Sequence, residues 1–497
     1  MRTQPTYRWL ALGFLAAGIV PWFFPSNVLK LIADHEHVLL GRYSLERFSA
    51  LVVLTPALWL AAVIAWSLRT HTAKEVLFRT AALLLGVSVA VAAADIAGRI
   101  PREPRYIERQ VLVRTRWPGE RVDDVVRHRP PNQQYRIQYN DAPVAARSYP
   151  FAPPGFPTVD ITLTTDHRGY RNLTRLDQYD IVTLGDSFTE GSRVSDEEVW
   201  PVRVGRRLRR TVYNLGISGV NPDYYLTTLR AFGLPLKPKT VFIMIYEGND
   251  FKGTPLGREL AQAEGRDIPG PAASVPARIG RWLETSIKYT PVVLSLRNAF
   301  IHRLGPINAD GPVPGAEILS WMPVALPPGP EAQYYAFEPK RLVRLYWTHA
   351  AFRESYGWVS TAEVFKRIKA LCAEEGIRLV VVYAPSKPHV VMPLVADRVT
   401  AEQLHAFASF KARNLPPPGE FKRELVARLD TQEAVAREFF AAEGVEFIST
   451  TAILRQWAAA GRQVYYTYDQ HWTALGHEAV AEAVARTVTA GKSLPRR

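Results

Sequence analysis

The sequence predicts an α/β domain built on a doubly wound parallel sheet, set behind an apolar N-terminal segment. Three observations carry that prediction. From Asp180 onward, five short runs rich in β-branched residues alternate with helical patterns. Gly, Ser, Asn and Asp follow the first three runs, at the carboxyl strand ends where such a sheet gathers its functional groups. Three long, almost uncharged stretches lie within the first hundred residues.

Those stretches are Trp9 to Phe24, Ser49 to Leu68 and Thr80 to Ala97. A bilayer core of ~30 Å needs about twenty residues, which the second and third supply. The first is shorter and closes with Pro21 and Pro25, as a signal peptide would, but no small-residue cleavage site follows. Residues 1–100 therefore read as a membrane anchor of about three transmembrane helices, or two without the first. With the N-terminus inside, Arg2, Arg8, Arg69, Lys74 and Arg79 face the cytoplasm and the large domain lies outside. The positive-inside rule alone opposes this, because Arg99, Arg102, Arg105, Arg109, Arg114 and Arg116 crowd the exit of the third stretch.

The 497 residues are 47% hydrophobic and 22% charged, which excludes wholesale disorder. A net charge of +14, largely arginine, suits an acidic partner such as a phospholipid surface or an anionic glycan. No zinc knuckle, helix-turn-helix or aromatic RNA-binding pattern accompanies it, so a nucleic acid partner is not expected. Cys372 is the only cysteine, which rules out an intrachain disulfide. Its setting, ALCAEEG ahead of a strand, is that of a packed core thiol.

Residues 101–179 are rich in Pro and Arg, with β-like stretches YRIQYN and DITLTT; they read as a linker leading into strands that cap the main domain. The domain itself covers 180–497. Its strands are DIVTL (180–184), TVYNL (211–215), TVFIMIY (240–246), RLVVVYA (378–384) and VEFIS (445–449). Helical patterns fall around 197–210, 223–233, 361–375, 420–443 and 474–489, which together give a flavodoxin-like five-stranded sheet. An insertion at about 251–360, rich in Pro and Gly with one apolar helical pattern at 279–303, suits a lid, an acceptor-binding wall or a membrane-facing flap equally well.

The first strand runs into Gly185-Asp186-Ser187-Phe188-Thr189-Glu190-Gly191, placing a serine on a tight turn at the mouth of the sheet. The spacing differs from the G-x-S-x-G elbow of α/β-hydrolases. The second strand leads to Gly216-Ile217-Ser218-Gly219 and the third to Glu247-Gly248-Asn249-Asp250. The N–H groups of Ser187 and Gly219 with the amide of Asn249 would form an oxyanion hole, although Gly and Asn are also common in ordinary strand-to-helix turns. Near the C-terminus, Tyr468-Asp469-Gln470-His471-Trp472 offers a base and a carboxylate that can orient it. Tyr466, Tyr468 and Trp472 would stack on sugar rings or simply pack in the core. His477 reads as structural, and a zinc site of Asp469, His471 and His477 lacks any supporting ligand cluster.

Taken together, Ser187, Gly219, Asn249 and His471 resemble the four named blocks of the SGNH (GDSL-like) hydrolase superfamily, over about residues 165–250 and 370–490. Ordinary members separate Asp and His by two residues, whereas here only Gln470 intervenes. That spacing, Trp472 and the stretch Ala384-Pro385-Ser386-Lys387 are similar to the SGNH-like branch of alginate and exopolysaccharide O-acetylation. The resemblance implies a domain outside the bacterial cytoplasmic membrane, an acyl-serine on Ser187, and no cofactor or metal. With a sugar hydroxyl as second nucleophile the protein is a polysaccharide O-acetyltransferase; with water, an esterase. No acyl-CoA motif is present, so a transferase implies a membrane-bound acyl-donor protein. The non-enzyme alternative is an inactive glycan-binding module of an export complex.

Overall fold

The computed structural model describes residues 5–23, 38–39, 43–99, 109–113, 124–141, 155–268, 322–326, 333–409, 411–412 and 414–490. Helices Pro5–Ile19, Leu45–Ser67 and Ala73–Arg99 form where the three apolar stretches lie, in the first of two units (Met1–Arg105, Val144–Phe151 and Ala273–Ser320). The expected spans are not borne out: among the described residues, no helix is long and apolar enough to cross a membrane. The first has only 15 residues. The second carries Pro56 inside it, and the third opens on Lys74, Glu75 and Arg79.

The second unit comprises Tyr106–Pro143, Ala152–Ala272 and Trp321–Arg497. Its centre is a parallel sheet of β1 (Ile181–Leu184), β2 (Val212–Asn214), β3 (Thr240–Tyr246), β4 (Arg378–Ala384) and β5 (Glu446–Ser449). The spatial order is β2-β1-β3-β4-β5, the flavodoxin-like arrangement expected. In register, Thr240 of β3 lies opposite Ile181 on one side and Arg378 on the other. Every residue of β1 and β3 is buried, as strands covered by helices on both faces must be, and this explains the unbroken apolar run TVFIMIY.

The connecting helices are α1 (Ser187–Glu190), α2 (Trp200–Leu208), α3 (Pro222–Thr228), α4 (Tyr356–Glu374), α5 (Lys387–Val395) and α6 (Ala474–Ala490). The helix expected over 420–443 is two, Pro418–Arg428 and Thr431–Ala442, with Asp430 at the break. Val182, Ile243 and Val381 of the sheet pack with Leu226, Phe365 and Phe440 from the helices in one core. Cys372 belongs to that core, and burial pushes its thiol up to about 12, so it is inert packing as expected.

The capping strands form an antiparallel hairpin of Gln134–Tyr139 with Val159–Thr164. Arg109–Val113 and Asp124–His128 make a second pair within the stretch read as linker. Part of the expected insertion is also built: helix Pro255–Ala263, the hairpin Met322–Leu326 with Gln333–Phe337, and short helices Pro339–Val343 and His349–Arg353. The α4 helix starts ahead of the expected 361 because the Ser355 side chain caps it, accepting from the Trp358 N–H. The apolar pattern at 279–303 lies outside the described residues.

Candidate active site

The serine turn follows from local chemistry. Gly185 takes a φ of +152°, and a Cβ there would collide with Thr189, so the turn needs glycine. Asp186 then caps α1, its carboxylate accepting the Phe188 N–H at 3.0 Å. These two constraints set Ser187 at the first position beyond the turn, at the carboxyl end of β1.

The other half comes from the loop between Tyr465 and Trp472, which pair across its base; the Tyr466 N–H donates to the His471 carbonyl at 3.1 Å. Within it, Asp469 Oδ1 accepts from the His471 N–H at 2.8 Å and lies 2.5 Å from His471 Nδ1. His471 Nε2 lies 2.7 Å from Ser187 Oγ. An ionised carboxylate only accepts, so the proton sits on Nδ1 and Nε2 receives the serine O–H. Burial would raise the Asp469 carboxyl, but the charge and hydrogen bond of His471, with Arg193 and Tyr139, hold it well below the usual range. Phe188 packs against the imidazole, ring centroids 4.9 Å apart, and fixes its plane.

Asn249 stands at the end of β3, where its Nδ2 donates to Asp186 Oδ2 at 2.7 Å. That bond takes one of its two amide hydrogens. Gly219 takes a φ of +77°, and its carbonyl accepts from Arg127 at 3.0 Å, which turns the peptide of the loop after β2. Beside Asn249 opens a cavity of about 370 Å³, lined among others by Phe251, Lys252, Arg344, Trp347 and Tyr356. Burial and the neighbouring charges of Arg344 and Arg341 press the Lys252 ammonium down to about 8.

The aromatic residues beside the base do not face a substrate. Trp472 is fully buried, meets Phe188 edge-on at 4.7 Å, and is packed rather than presented. Tyr468 and Tyr466 are buried as well, so the expected sugar-stacking role of Trp472 and Tyr468 is overturned by their place in the core. His477 is structural: its Nδ1 accepts from the Trp200 N–H at 3.3 Å, and burial with nearby arginines keeps the ring neutral.

Five residues around the site were given no role by the sequence. Tyr139 and Arg193 both donate to Asp469 Oδ2, at 2.5 and 3.0 Å. Lys387, fully buried and lowered by burial to about 8, donates to the carbonyls of Thr467 and Ala336 at 2.7 and 3.1 Å. His389 lies between Glu247 and Asp430, 2.8 Å from each, and steadies the residue two before Asn249. Burial opposes its charge, yet the two carboxylates raise its pKa to about 10. Buried Glu190 pairs with Arg129 and accepts from the Ser218 N–H at 3.1 Å, tying the serine turn to the loop after β2. The only sequence signal for Tyr139 was the end of the β-like stretch YRIQYN; for Lys387 it was the Ala-Pro-Ser-Lys run.

Residues 351–497 match the family described as SGNH hydrolase-like domain, acetyltransferase AlgX. The matched C-terminal part of the domain is SGNH hydrolase-like. The matched stretch contains Asp469 and His471 and stops short of Ser187, which the fold delivers to them. The SGNH type makes this an acyltransferase or esterase that works through a serine. No curated protein matches the chain. Similar solved structures include a putative lipolytic protein of the G-D-S-L family from Desulfitobacterium hafniense, 12% identical, over 62% of this chain and 97% of that one, TM-score 0.24. Another is a mutant of the acetyl-xylooligosaccharide esterase Axe2 from Geobacillus stearothermophilus, 10% identical, over 65% and 100%, TM-score 0.29. A third, the hydrolase LAE5 from the Lake Arreo metagenome, is 12% identical over 63% and 96%, TM-score 0.27.

Proposed function

We propose that this protein is an O-acetyltransferase that moves an acetyl group through an acyl-serine on Ser187 to a hydroxyl of a cell-envelope or exported polysaccharide. The observation that carries the serine chemistry is the continuous hydrogen-bonded run Asp469–His471–Ser187. In the first half-reaction, His471 Nε2 takes the Ser187 proton as Oγ attacks the acetyl carbonyl. Ser187 N–H, Gly219 N–H and the free amide hydrogen of Asn249 receive the oxyanion. The donor's C–O bond breaks and its leaving oxygen takes the proton from His471. In the second half, an acceptor hydroxyl gives its proton to His471, attacks the acyl-serine and restores the Ser187 hydroxyl.

Transfer is favoured over hydrolysis by the acetyltransferase in the description of the matched family. The cavity beside Asn249, with Lys252 and Arg344 in its wall, suits a negatively charged glycan. A membrane-bound donor protein supplies the acetyl group, because the chain has no acyl-CoA motif. We place the domain outside the cytoplasmic membrane and the N-terminal helices at that membrane. Supporting the place of the helices alone, Trp9, Leu77, Phe78 and Leu85 are each at least two-thirds exposed, an apolar surface that lipid would cover.

Purified protein, an acetyl ester donor and an oligosaccharide acceptor test the reaction. Acetylated oligosaccharide exceeding free acetate supports the transferase, and acetate alone makes the protein an esterase. Protease added to intact spheroplasts should remove the domain; protection until lysis would reverse its placement.

A further inference from the structure

The hairpin Gln134–Tyr139/Val159–Thr164 does more than cover the sheet, because its first strand ends at the catalytic carboxylate. Tyr139, the last residue of that strand, donates its hydroxyl to Asp469 Oδ2 at 2.5 Å across 330 residues of sequence. Arg193, in the loop after α1, donates Nε to the same oxygen at 3.0 Å. The Arg193 guanidinium also lies over the Tyr139 ring, 4.8 Å from its centre, so the two donors brace each other. Meanwhile Asp469 Oδ1 faces the backbone and ring of His471.

The two carboxylate oxygens therefore have separate partners, one set on each side. A carboxylate held only through His471 could swing about its own χ2, a broad and nearly two-fold torsion. Two donors from distant segments on Oδ2 remove that freedom. The same chain segment also fixes the loop backbone: Asp141, two residues beyond Tyr139, accepts from the Tyr468 N–H at 2.8 Å and the Phe156 N–H at 2.6 Å. Tyr466 closes the circle, donating its hydroxyl to the Arg193 carbonyl and meeting the Tyr139 ring edge-on at 5.3 Å.

We propose that Tyr139 and Arg193 are positioning residues for acyl transfer, clamping the outer oxygen of Asp469 so that its inner oxygen holds the His471 imidazole in line with Ser187. The inference rests on the serine-enzyme reading and adds the capping hairpin to the machinery. Neither residue touches the reacting atoms; both act through the carboxylate. The charged and titratable groups around that carboxylate are His471 of its own loop, Arg193, Tyr139, Tyr466, and, farther off, Asp141 and buried Lys387.

A packing role and a positioning role separate in the pH profile. Losing either donor leaves Asp469 more basic, and losing Arg193 also removes a cation near the imidazole. Both changes favour imidazolium, so the acid limb of kcat/KM moves to higher pH.

The test compares full-length wild type with Tyr139→Phe, Arg193→Gln and Arg193→Lys, using an acetyl ester and following kcat, KM, the pH profile and the unfolding midpoint. Tyr139→Phe and Arg193→Gln should each lower kcat about 10-fold, leave KM within about two-fold, and move the acid limb upward. Arg193→Lys should hold the limb near its wild-type position, because it keeps the charge. Folded variants with unchanged kcat and limb would overturn the clamp, and so would a change in KM alone. If Tyr139→Phe fails to fold, Arg193→Gln, whose side chain is 36% exposed, decides by the same criteria. Wild-type protein that neither reacts with a fluorophosphonate nor turns over ester would sink the serine-enzyme reading, whereas active wild type with indifferent variants sinks the clamp alone.

Discussion

The two ends of the catalytic hydrogen-bonded run are held by different means. Ser187 is fixed by backbone: a strand end, a glycine in a conformation other residues avoid, and an aspartate cap one residue away. Asp469 is fixed by side chains from far along the chain, Tyr139 and Arg193, with Lys387 bonded to the carbonyl of Thr467 beneath it. A nucleophile needs one position on a rigid element, and five or six local residues can build it. An orienting carboxylate needs an angle, and an angle takes partners on more than one side.

That contrast can be broken by variants, taken here from the largest expected effect. Ser187→Ala removes the atom that carries the acyl group, and His471→Ala removes the base; each should cut turnover about 10⁴–10⁶-fold without loss of fold. A steady-state assay with a fluorophosphonate titration of active sites reads this. If either variant kept more than a tenth of the wild-type rate, the run Asp469–His471–Ser187 would not be the catalytic one. Asp469→Asn should cost less, about 10³–10⁴-fold, since the carboxylate orients and stabilises the imidazolium but touches no substrate.

Asn249→Ala should slow acylation about 10²–10³-fold, the usual loss for one oxyanion donor. This substitution also strips Asp186 Oδ2 of the Asn249 donor, so stability is measured alongside. A full rate in a folded variant would remove Asn249 from the oxyanion hole.

The smallest effect is on stability rather than rate, and it concerns His389. Its folded pKa, about 10, lies above the ordinary 6.5, so the protonated ring paired with Glu247 and Asp430 favours the folded state. That contribution is complete below about pH 6.5 and fades as pH rises through about 10, on the order of a few kcal/mol. Denaturant unfolding of wild type against His389→Gln should show the alkaline slope in the first and a flatter one in the second. Parallel curves would mean that the imidazolium contributes nothing over this range.

The same contrast explains what could be read from residues alone. The five strands, the flavodoxin-like order and the positions of Ser187, Asn249 and His471 were legible because strand periodicity and turn chemistry are local. The break at Asp430 was not, since the position of that residue answers to His389 across the fold rather than to its own helix pattern. Nor were Tyr139 and Arg193, generic residues whose meaning appears only when a hairpin brings them to Asp469. Trp472 and Tyr468 misled in the opposite direction. Aromatic residues beside a base suggest sugar stacking, but here they wall the loop from inside the core. The apolar N-terminal stretches did give helices at the expected places, while their relation to a membrane is a matter for protease accessibility.

The central claim is that Ser187 carries the acyl group, and peptide-level mass spectrometry tests it most directly. Protein is mixed with an activated acetyl ester, quenched in acid within the first turnover and digested. The account predicts one acetyl group on the peptide containing Ser187, absent from Ser187→Ala and chased from wild type by an oligosaccharide acceptor. Acetyl found on another residue, or equal product formation by Ser187→Ala, would contradict it.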